Sequence, residues 1–395
     1  MDFCWTARED KFRAEIRDWL HEILPSDWRL TVGNDMEGEE REEFERDFAI
    51  KAGAKGYLAV GWPKEYGGMG FTPMQQFVFN EEMALAKAPR GFMGPGVYQV
   101  GSSLIIHGTE WQKKTFLPPI ARGEVRWCSL LSEPNAGSDL ASLQTTAVED
   151  GDEFVVNGQK TWTTNGHKAE HGILLARTDK DAPKHKGISY FLVDMNWPGI
   201  TVRPIINMAD AHSINSVFFD NVRIPRNRLV GEKDQGWYLG QTTLNAERSG
   251  VRWHVPLQQL FDEIVEYFVE AGCAGGFNPL EVNPALKHKI ANTHSEMRIS
   301  WLLAYRVVWL QTQGDPPSYQ SSQSKLWVTE LTQRVVALGM EILGLYGQIS
   351  PGSKAAVLHG KMQKLYRAQR AITLGAGTSE IQRNIIARRG LGMGR

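Results

Sequence analysis

Two changes of hydrophobic rhythm divide this chain, and they constrain its fold more than any single residue does. Up to about residue 125 the apolar positions recur at helical spacing. From about 126 to 232 they gather in short runs cut by Gly, Pro, Asn and Asp. From about 233 onward long helical periodicity returns. The order helices, strands, helices predicts an α+β multi-domain protein. Its parts are an N-terminal helical domain over 1–125, a middle β-domain over 126–232 built as a small barrel or sandwich, and a C-terminal four-helix bundle over 233–395.

Local signals sharpen this division. Thr6-Ala7-Arg8-Glu9 has the form of a capping box, and Phe12, Ile16, Trp19, Leu20 and Ile23 then share one helical face, expected to be core. The Glu- and Arg-rich run Glu37–Asp47 predicts a solvated helix face. Phe154 to Trp162 reads as two strands around an Asn157-Gly158 turn, because both residues tolerate positive φ. Further strands are expected at Ile173–Ala176, Ile188–Val193, Ile200–Val202 and Val217–Phe219. Helical stretches are expected over about 236–271, 283–313, 318–345 and 353–373. Gly314-Asp315-Pro316-Pro317 and Gly347 to Gly352 punctuate them.

With 395 residues and a net charge of -1, the chain can bury a large core and has no electrostatic reason to bind nucleic acid or an anionic membrane. Cys4, Cys128 and Cys273 lie far apart with no metal-like spacing. They are expected to be buried free thiols in a reducing cytoplasm, and no metal site is expected. Met1 is followed by Asp2, Arg8, Glu9 and Asp10, so no signal peptide is visible, and no run is apolar enough to insert in a membrane.

Four segments carry chemistry. Leu131-Ser132-Glu133-Pro134-Asn135-Ala136-Gly137-Ser138-Asp139 combines small residues, glycine and hydroxyls, which let backbone N–H groups approach a phosphate or carbonyl. On composition alone a Gly-rich turn between strands is the favoured reading. Trp162-Thr163-Thr164-Asn165-Gly166 offers an aromatic face and hydroxyls. Leu374-Gly375-Ala376-Gly377-Thr378-Ser379-Glu380-Ile381-Gln382-Arg383 lies near the C-terminus, and Leu244-Asn245-Ala246-Glu247-Arg248 lies on an expected helix. Adjacent helical residues do not face each other, so Glu247 is not simply paired with Arg248.

Together these segments resemble the acyl-CoA dehydrogenase family over essentially the whole chain. The resemblance implies FAD as cofactor, with Leu131 and Ser132 at the isoalloxazine ring and Gly137 and Ser138 near the pyrophosphate and the CoA arm. It also implies that Trp162 and Thr164 contact the flavin, and that Thr378 and Glu380 contact the cofactor. In the family a carboxylate takes the α-proton of a CoA thioester while the β-hydrogen passes to flavin N5, giving a trans-2-enoyl-CoA. Most members carry that base just before Gly-Thr, where this chain has Ala376. A minority carry it at the position of Glu247, which is therefore the expected base. Ser138, Asn245 and Arg248 are implied at the substrate. Electron-transfer flavoprotein is the implied electron acceptor.

The chain departs from the family at two places. The usual Arg-x-x-Phe-Gly before the second long C-terminal helix is missing, and the region reads Gly275-Gly276-Phe277-Asn278-Pro279. The usual Gln-x-x-Gly-Gly-x-Gly reads Glu341-Ile342-Leu343-Gly344-Leu345-Tyr346-Gly347. Both segments serve the neighbouring subunit's FAD in the family. One expectation is an α2β2 hetero-tetramer with a paralogous subunit, as in bacterial steroid side-chain acyl-CoA dehydrogenases, which the stretch Leu280 to Arg298, with Pro284 to Lys289 in it, also resembles. The other is a homo-tetramer in which Lys287 or His288 replaces the lost contacts. Gly91-Phe92-Met93-Gly94-Pro95-Gly96 lies where the family lines the blind end of its acyl pocket, leaving room for a bulky or steroid-derived acyl group or acting as plain helix punctuation. The alternatives are a non-catalytic partner subunit and a nitroalkane-oxidase-like flavoprotein.

Overall fold

The computed structural model describes residues 5–26, 28, 38–244, 250–274 and 283–394. These form two compact units. One draws its described residues from Met1–Met36, Thr72–Ala88 and Arg248–Arg395; the other from Glu37–Phe71 and Pro89–Glu247.

The first unit is helical. Its helices are Ala7–Ile23, Pro73–Leu85, Val251–Ala274, Pro284–Thr312, Tyr319–Leu343, Lys361–Ala368 and Ser379–Ile385. The capping box forms as expected: Glu9 N–H donates to Thr6 Oγ1 (3.3 Å) and Thr6 N–H to Glu9 Oε2 (2.7 Å). Phe12, Ile16, Trp19 and Leu20 are buried, whereas Ile23, at the fraying end, is only partly so. Helix Ala7–Ile23 is fastened to helix Pro73–Leu85 by Arg13 and Arg17 on the buried Glu82 carboxylate (2.6 and 3.0 Å). The core is an aromatic cluster of Trp5, Phe77, Trp301 and Tyr305, continued by Val251 and Val255. A second cluster packs Phe261, Ile264 and Phe268 against Met297, Val335 and Met362.

The stretch expected as one helix over 236–271 is two helices, Gly236–Leu244 and Val251–Ala274. Gly250, at φ +80°, precedes the second, and a Cβ there would lie 2.5 Å from Ser324 Oγ. Over 353–373 only Lys361–Ala368 is α-helical. Leu358, His359 and Gly360 before it are all left-handed (φ +46°, +56° and +70°), which side-chain periodicity cannot foretell.

The second unit holds the strands β1 (Trp127–Leu130), β2 (Thr146–Asp150), β3 (Glu153–Thr164), β4 (His171–Arg177), β5 (Ile188–Asp194), β6 (Ile200–Ile206), β7 (His212–Pro225) and β8 (Leu229–Val230). They run in the order β6-β7-β3-β2-β4-β5-β8, and β1 pairs in parallel with β4. In the described ladders β2 and β4 meet at one register position, Thr146 opposite Arg177. The β6-β7-β3-β2 half and the β1-β4-β5-β8 half close on one core that includes Phe154 and Val156 from the first and Leu174 and Phe191 from the second. Ile173, Leu175, Tyr190 and Leu192 point the other way, onto the helices Ser102–His107, Glu110–Ala121 and Gly236–Leu244. Burial on both faces is why β4 and β5 read as unbroken apolar runs.

Asn157-Gly158 is not a hairpin turn. The strand runs straight through it, and the irregularity lies in the partner: Val156 pairs with Val222 but Gly158 with Phe219, leaving an extra residue on β7, where Asn221 has φ +49°. Gly158, at φ +151°, passes so close to Thr145 that a Cβ would lie 2.5 Å from its hydroxyl. The glycine signal was thus one of close approach rather than reversal. The acidic helix Gly38–Ala54 also differs from expectation, because one side is engaged rather than solvated. Glu42 pairs with Arg126 and Lys168, Glu45 with Arg126 (3.2 Å), and Arg46 with Glu170 (3.0 Å). No helix among the described residues is long and apolar enough to cross a membrane.

Candidate active site

In the sheet unit, the turn after β1 and the end of β3 form one platform. Lys160, wholly buried, donates to Leu131 O (3.0 Å) and to Glu133 Oε1 (2.8 Å). Glu133, 7% exposed, also accepts from Gln144 N (2.7 Å) and Thr145 N (2.9 Å), and Thr161 N–H donates to Ser132 O (2.8 Å). Burial depresses Lys160 to about 8 against the opposing pull of Glu133. Burial tends to raise Glu133, but Lys160 and the Thr145 and Gln144 bonds outweigh it and hold the carboxyl below its ordinary range. At neutral pH this is a charged pair inside the protein. Neither residue stands out in the motifs as chemistry. The signal that could have found Lys160 is parity: along β3 it shares a face with the buried Phe154 and Val156, where a lone lysine needs a partner.

A second bulge shapes the platform. Lys160 pairs with Val217 but Thr163 with Asn215, so the extra residue falls on β3. Trp162 takes it up at φ +61°, a costly conformation for an aromatic residue, and its ring is 59% exposed. Asn165 follows at φ +52°. The buried Asn215 amide donates to Thr163 O (3.0 Å) and His212 Nε2 contacts Asn215 Oδ1 (2.8 Å), while the His212 and His167 rings stack at 3.9 Å. Leu131, Ser132, Trp162 and Thr164 are thereby brought together, with Trp162 and Thr164 turned outward. Gly137 and Ser138 are exposed, and nothing lies within 4 Å of a Cβ built at Gly137. Asp139 is held below its ordinary range by Lys184 and by the Ser142 hydroxyl (2.6 Å). These residues fit a flat aromatic cofactor with an anionic tail. The surface presents a strained, outward indole and a small-residue turn free of side-chain obstruction.

The helical unit holds the C-terminal segment. Ala376 lies at φ +54° and Gly377 at φ +84°. Lys325 donates to Gly377 O (2.7 Å), and the Gln382 amide reaches both carbonyls, Ala376 O and Gly377 O (3.2 Å each). Burial lowers Lys325, with Glu330 and Glu380 pulling the other way. Thr378 caps helix Ser379–Ile385 by accepting from Ile381 N–H (3.3 Å). Glu380 is exposed and kept below its ordinary range by its own backbone N–H and by Thr378. Leu374, Ser379 and Glu380 edge a cleft of about 480 Å³ with Gln333, Arg334 and Arg370. No proton acceptor can come from Ala376. Lys325 is a second residue that sequence reasoning missed.

Glu247, Asn245 and Arg248 lie outside the described residues, as does the segment Gly275 to Val282. Glu341 does not present a bare anion, because Lys289 grips both its oxygens (2.6 and 2.7 Å). Leu345, 82% exposed, and Tyr346, 57% exposed, form an apolar surface beside it. Lys287 and His288 are exposed on helix Pro284–Thr312. Among the glycines near Phe92, a Cβ at Gly91 would meet Glu45 Oε2 at 2.7 Å and one at Gly96 the Trp127 ring at 2.8 Å, so these two serve close packing; Gly94 alone is open. Cys128 is buried, which pushes its thiol up to about 12.

Three domain families match in succession: residues 6–124 match "Acyl-CoA dehydrogenase, N-terminal domain", 128–222 the middle domain and 234–391 the C-terminal domain. Among similar proteins, acyl-CoA dehydrogenase FadE29 of Mycobacterium tuberculosis is 36% identical over 386 residues, covering 98% of this chain and 97% of that one. The solved structure described as "Tcur3481-Tcur3483 steroid ACAD" has a TM-score of 0.88 at 35% identity, with full coverage of both chains. The ChsE4-ChsE5 complex from Mycobacterium tuberculosis has a TM-score of 0.87 at 33% identity, again with full coverage.

Proposed function

The chain belongs to the acyl-CoA dehydrogenase family, a family of flavoprotein oxidoreductases that oxidise acyl-CoA, and we propose that it desaturates an acyl-CoA thioester to a trans-2-enoyl-CoA with Glu247 as base. The observation that carries this reading is the intact platform of Leu131, Ser132, Trp162 and Thr164, and Ala376 then decides where the base cannot be. The Ala376 turn is held in place by Lys325 and Gln382, yet its side chain is a methyl group. A reaction that needs an α-proton removed must then recruit a carboxylate elsewhere, and Glu247 is the one at the family's alternative position. FAD, bound on the Leu131–Ser138 turn and Trp162–Thr164, would supply the oxidant for the β-hydrogen and its electron pair. The chain's own residues position the reactants. Leu131, Ser132 and Thr164 orient the ring, Trp162 covers it from water, Ser138 with Asn245 and Arg248 holds the thioester and its CoA arm, and Thr378 and Glu380 border the cofactor.

Electron-transfer flavoprotein is the proposed electron acceptor. A hetero-tetramer with a paralogous subunit is the proposed assembly. The exposed Leu345 and Tyr346 support it, as does the presence of two-component complexes among the similar structures. A steroid-derived or otherwise bulky acyl group is the proposed substrate, supported by the neighbour described as a steroid enzyme. The second reading, a non-catalytic partner subunit, is favoured by Ala376 alone.

The test is anaerobic titration with a panel of acyl-CoA thioesters, followed by flavin absorbance. It uses the wild type and Glu247→Gln, each co-produced with a paralogous subunit. Bleaching of the wild type, with a flavin-loaded but silent mutant, supports Glu247 as base. Equal bleaching sinks that assignment, and a chain that holds no flavin in any assembly is the partner subunit.

A further inference from the structure

The buried pair Lys160–Glu133 is used by nothing in the mechanism above. Its cost is high, because two charges sit in a site that is almost closed to water. A turn between strands could be held by backbone bonds and apolar packing alone. The pair is also placed with unusual economy. One ammonium group contacts both the carbonyl of Leu131 and the side chain of Glu133, while Glu133 gathers the N–H groups of Gln144 and Thr145 at the far end of the same loop. Two residues beyond Lys160 the strand bulges and turns Trp162 outward. The ammonium therefore fixes the height of the Leu131–Ser132 turn relative to the Trp162–Thr164 strand, and those are the two parts of the platform against which a flat ring would lie.

We infer that Lys160 and Glu133 are positioning residues for the flavin, joining the β1 turn to the β3 bulge so that the two surfaces contacting the ring keep one spacing. This rests on the proposed use of that platform by FAD. Removing the lysine leaves Leu131 O buried without a donor and the carboxylate with the Gln144 and Thr145 N–H groups but no cation in contact, which favours opening of the turn toward water. The ring would then lose one wall even though no residue touching it has changed. Among the described residues the charge that acts on Lys160 is Glu133 on the turn, and Glu133 also attracts Arg177 at the end of β4. Loss of the Lys160 proton weakens the same tie without any mutation.

The experiment compares wild type, Lys160→Met, and the charge-free pair Lys160→Met/Glu133→Gln, as full chains co-produced with a paralogous subunit where flavin retention requires it. FAD affinity, the visible spectrum of bound flavin and melting temperature are read on each. The expected result is a loss of affinity of roughly tenfold or more in both variants, equivalent to about 1.4 kcal/mol, with an altered flavin spectrum. The double variant recovers most of the melting temperature but not the affinity. In the wild type, affinity falls as pH rises through the Lys160 transition at about 8, and in the double variant it is flat there. Wild-type affinity and spectrum in the double variant, or a wild-type affinity indifferent to pH from neutrality up through the ordinary lysine value of about 10.4, would overturn the inference. That pH series needs no variant and tests the inference even if neither mutant folds. If the wild type holds no flavin in any assembly, the reading of the platform as an FAD site fails first, and the two failures are told apart.

Discussion

The β1–β3 platform and the Gly375–Glu380 turn solve the same construction problem with opposite outcomes. Each holds a non-glycine residue in the left-handed region, Trp162 at φ +61° and Ala376 at φ +54°. Each is held by a buried lysine donating to a backbone carbonyl, Lys160 to Leu131 O and Lys325 to Gly377 O. They differ in what surrounds the lysine and in what the held residue carries. Lys160 has a carboxylate partner in direct contact, and the platform keeps its aromatic ring and hydroxyls. Lys325 contacts Gly377 O and feels Glu330 and Glu380 only through the field, and the turn it holds carries a methyl group. Backbone scaffolding can therefore be firm around a side chain that has no acid–base chemistry. A motif with intact geometry is not by itself an active site.

Mutations at the two lysines sharpen the contrast. Lys160→Met alone leaves the Glu133 carboxylate buried without its contacting cation and is expected to cost about 3–5 kcal/mol, read as a drop in denaturation midpoint. Lys325→Met removes one hydrogen bond from a carbonyl that Gln382 still serves, so it is expected to cost about 1–2 kcal/mol. Equal losses at the two sites would erase the distinction drawn here.

A pH experiment separates stability from ligand affinity. Lys160 has a folded value near 8, below the ordinary lysine value, so between the two the unfolded chain binds more protons. Its contribution to stability therefore rises with pH across that window, while the proposed flavin affinity falls. A midpoint series measured with and without FAD is expected to converge as pH rises, and parallel curves would count against the pair. The smallest effect is at Ala376→Gly. Relief of left-handed strain is expected to stabilise by up to about 1 kcal/mol, measured by chemical denaturation, with little change in flavin binding.

Much of this was legible in the sequence, for identifiable reasons. Helix starts with a capping box are local, and the Thr6–Glu9 box forms as written. Strands buried on both faces announce themselves as apolar runs, as at Ile188–Val193. The Asn157-Gly158 pair misled because a glycine needed for close approach to Thr145 looks the same as one needed for a turn. The two flavin-type motifs were visible as strings. What joins them was not, because Glu133 and Lys160 are distant in sequence and their partnership is a fact of pairing across the sheet. Lys325 was invisible for a related reason: a lysine in a helix is ordinary until something places a carbonyl over it.

The single register position at which β2 meets β4 has a consequence for how the sheet unit opens. Amide exchange in the β3–β7 half and in the β4–β5 half should report two cooperative blocks rather than one, since few ladder bonds couple them. Leu131 follows β1 in one block, and Lys160 and Trp162 belong to β3 in the other. The ion pair crosses that seam. A ligand lying on both surfaces would slow exchange in the two blocks together, adding a tie across the seam to the core they already share.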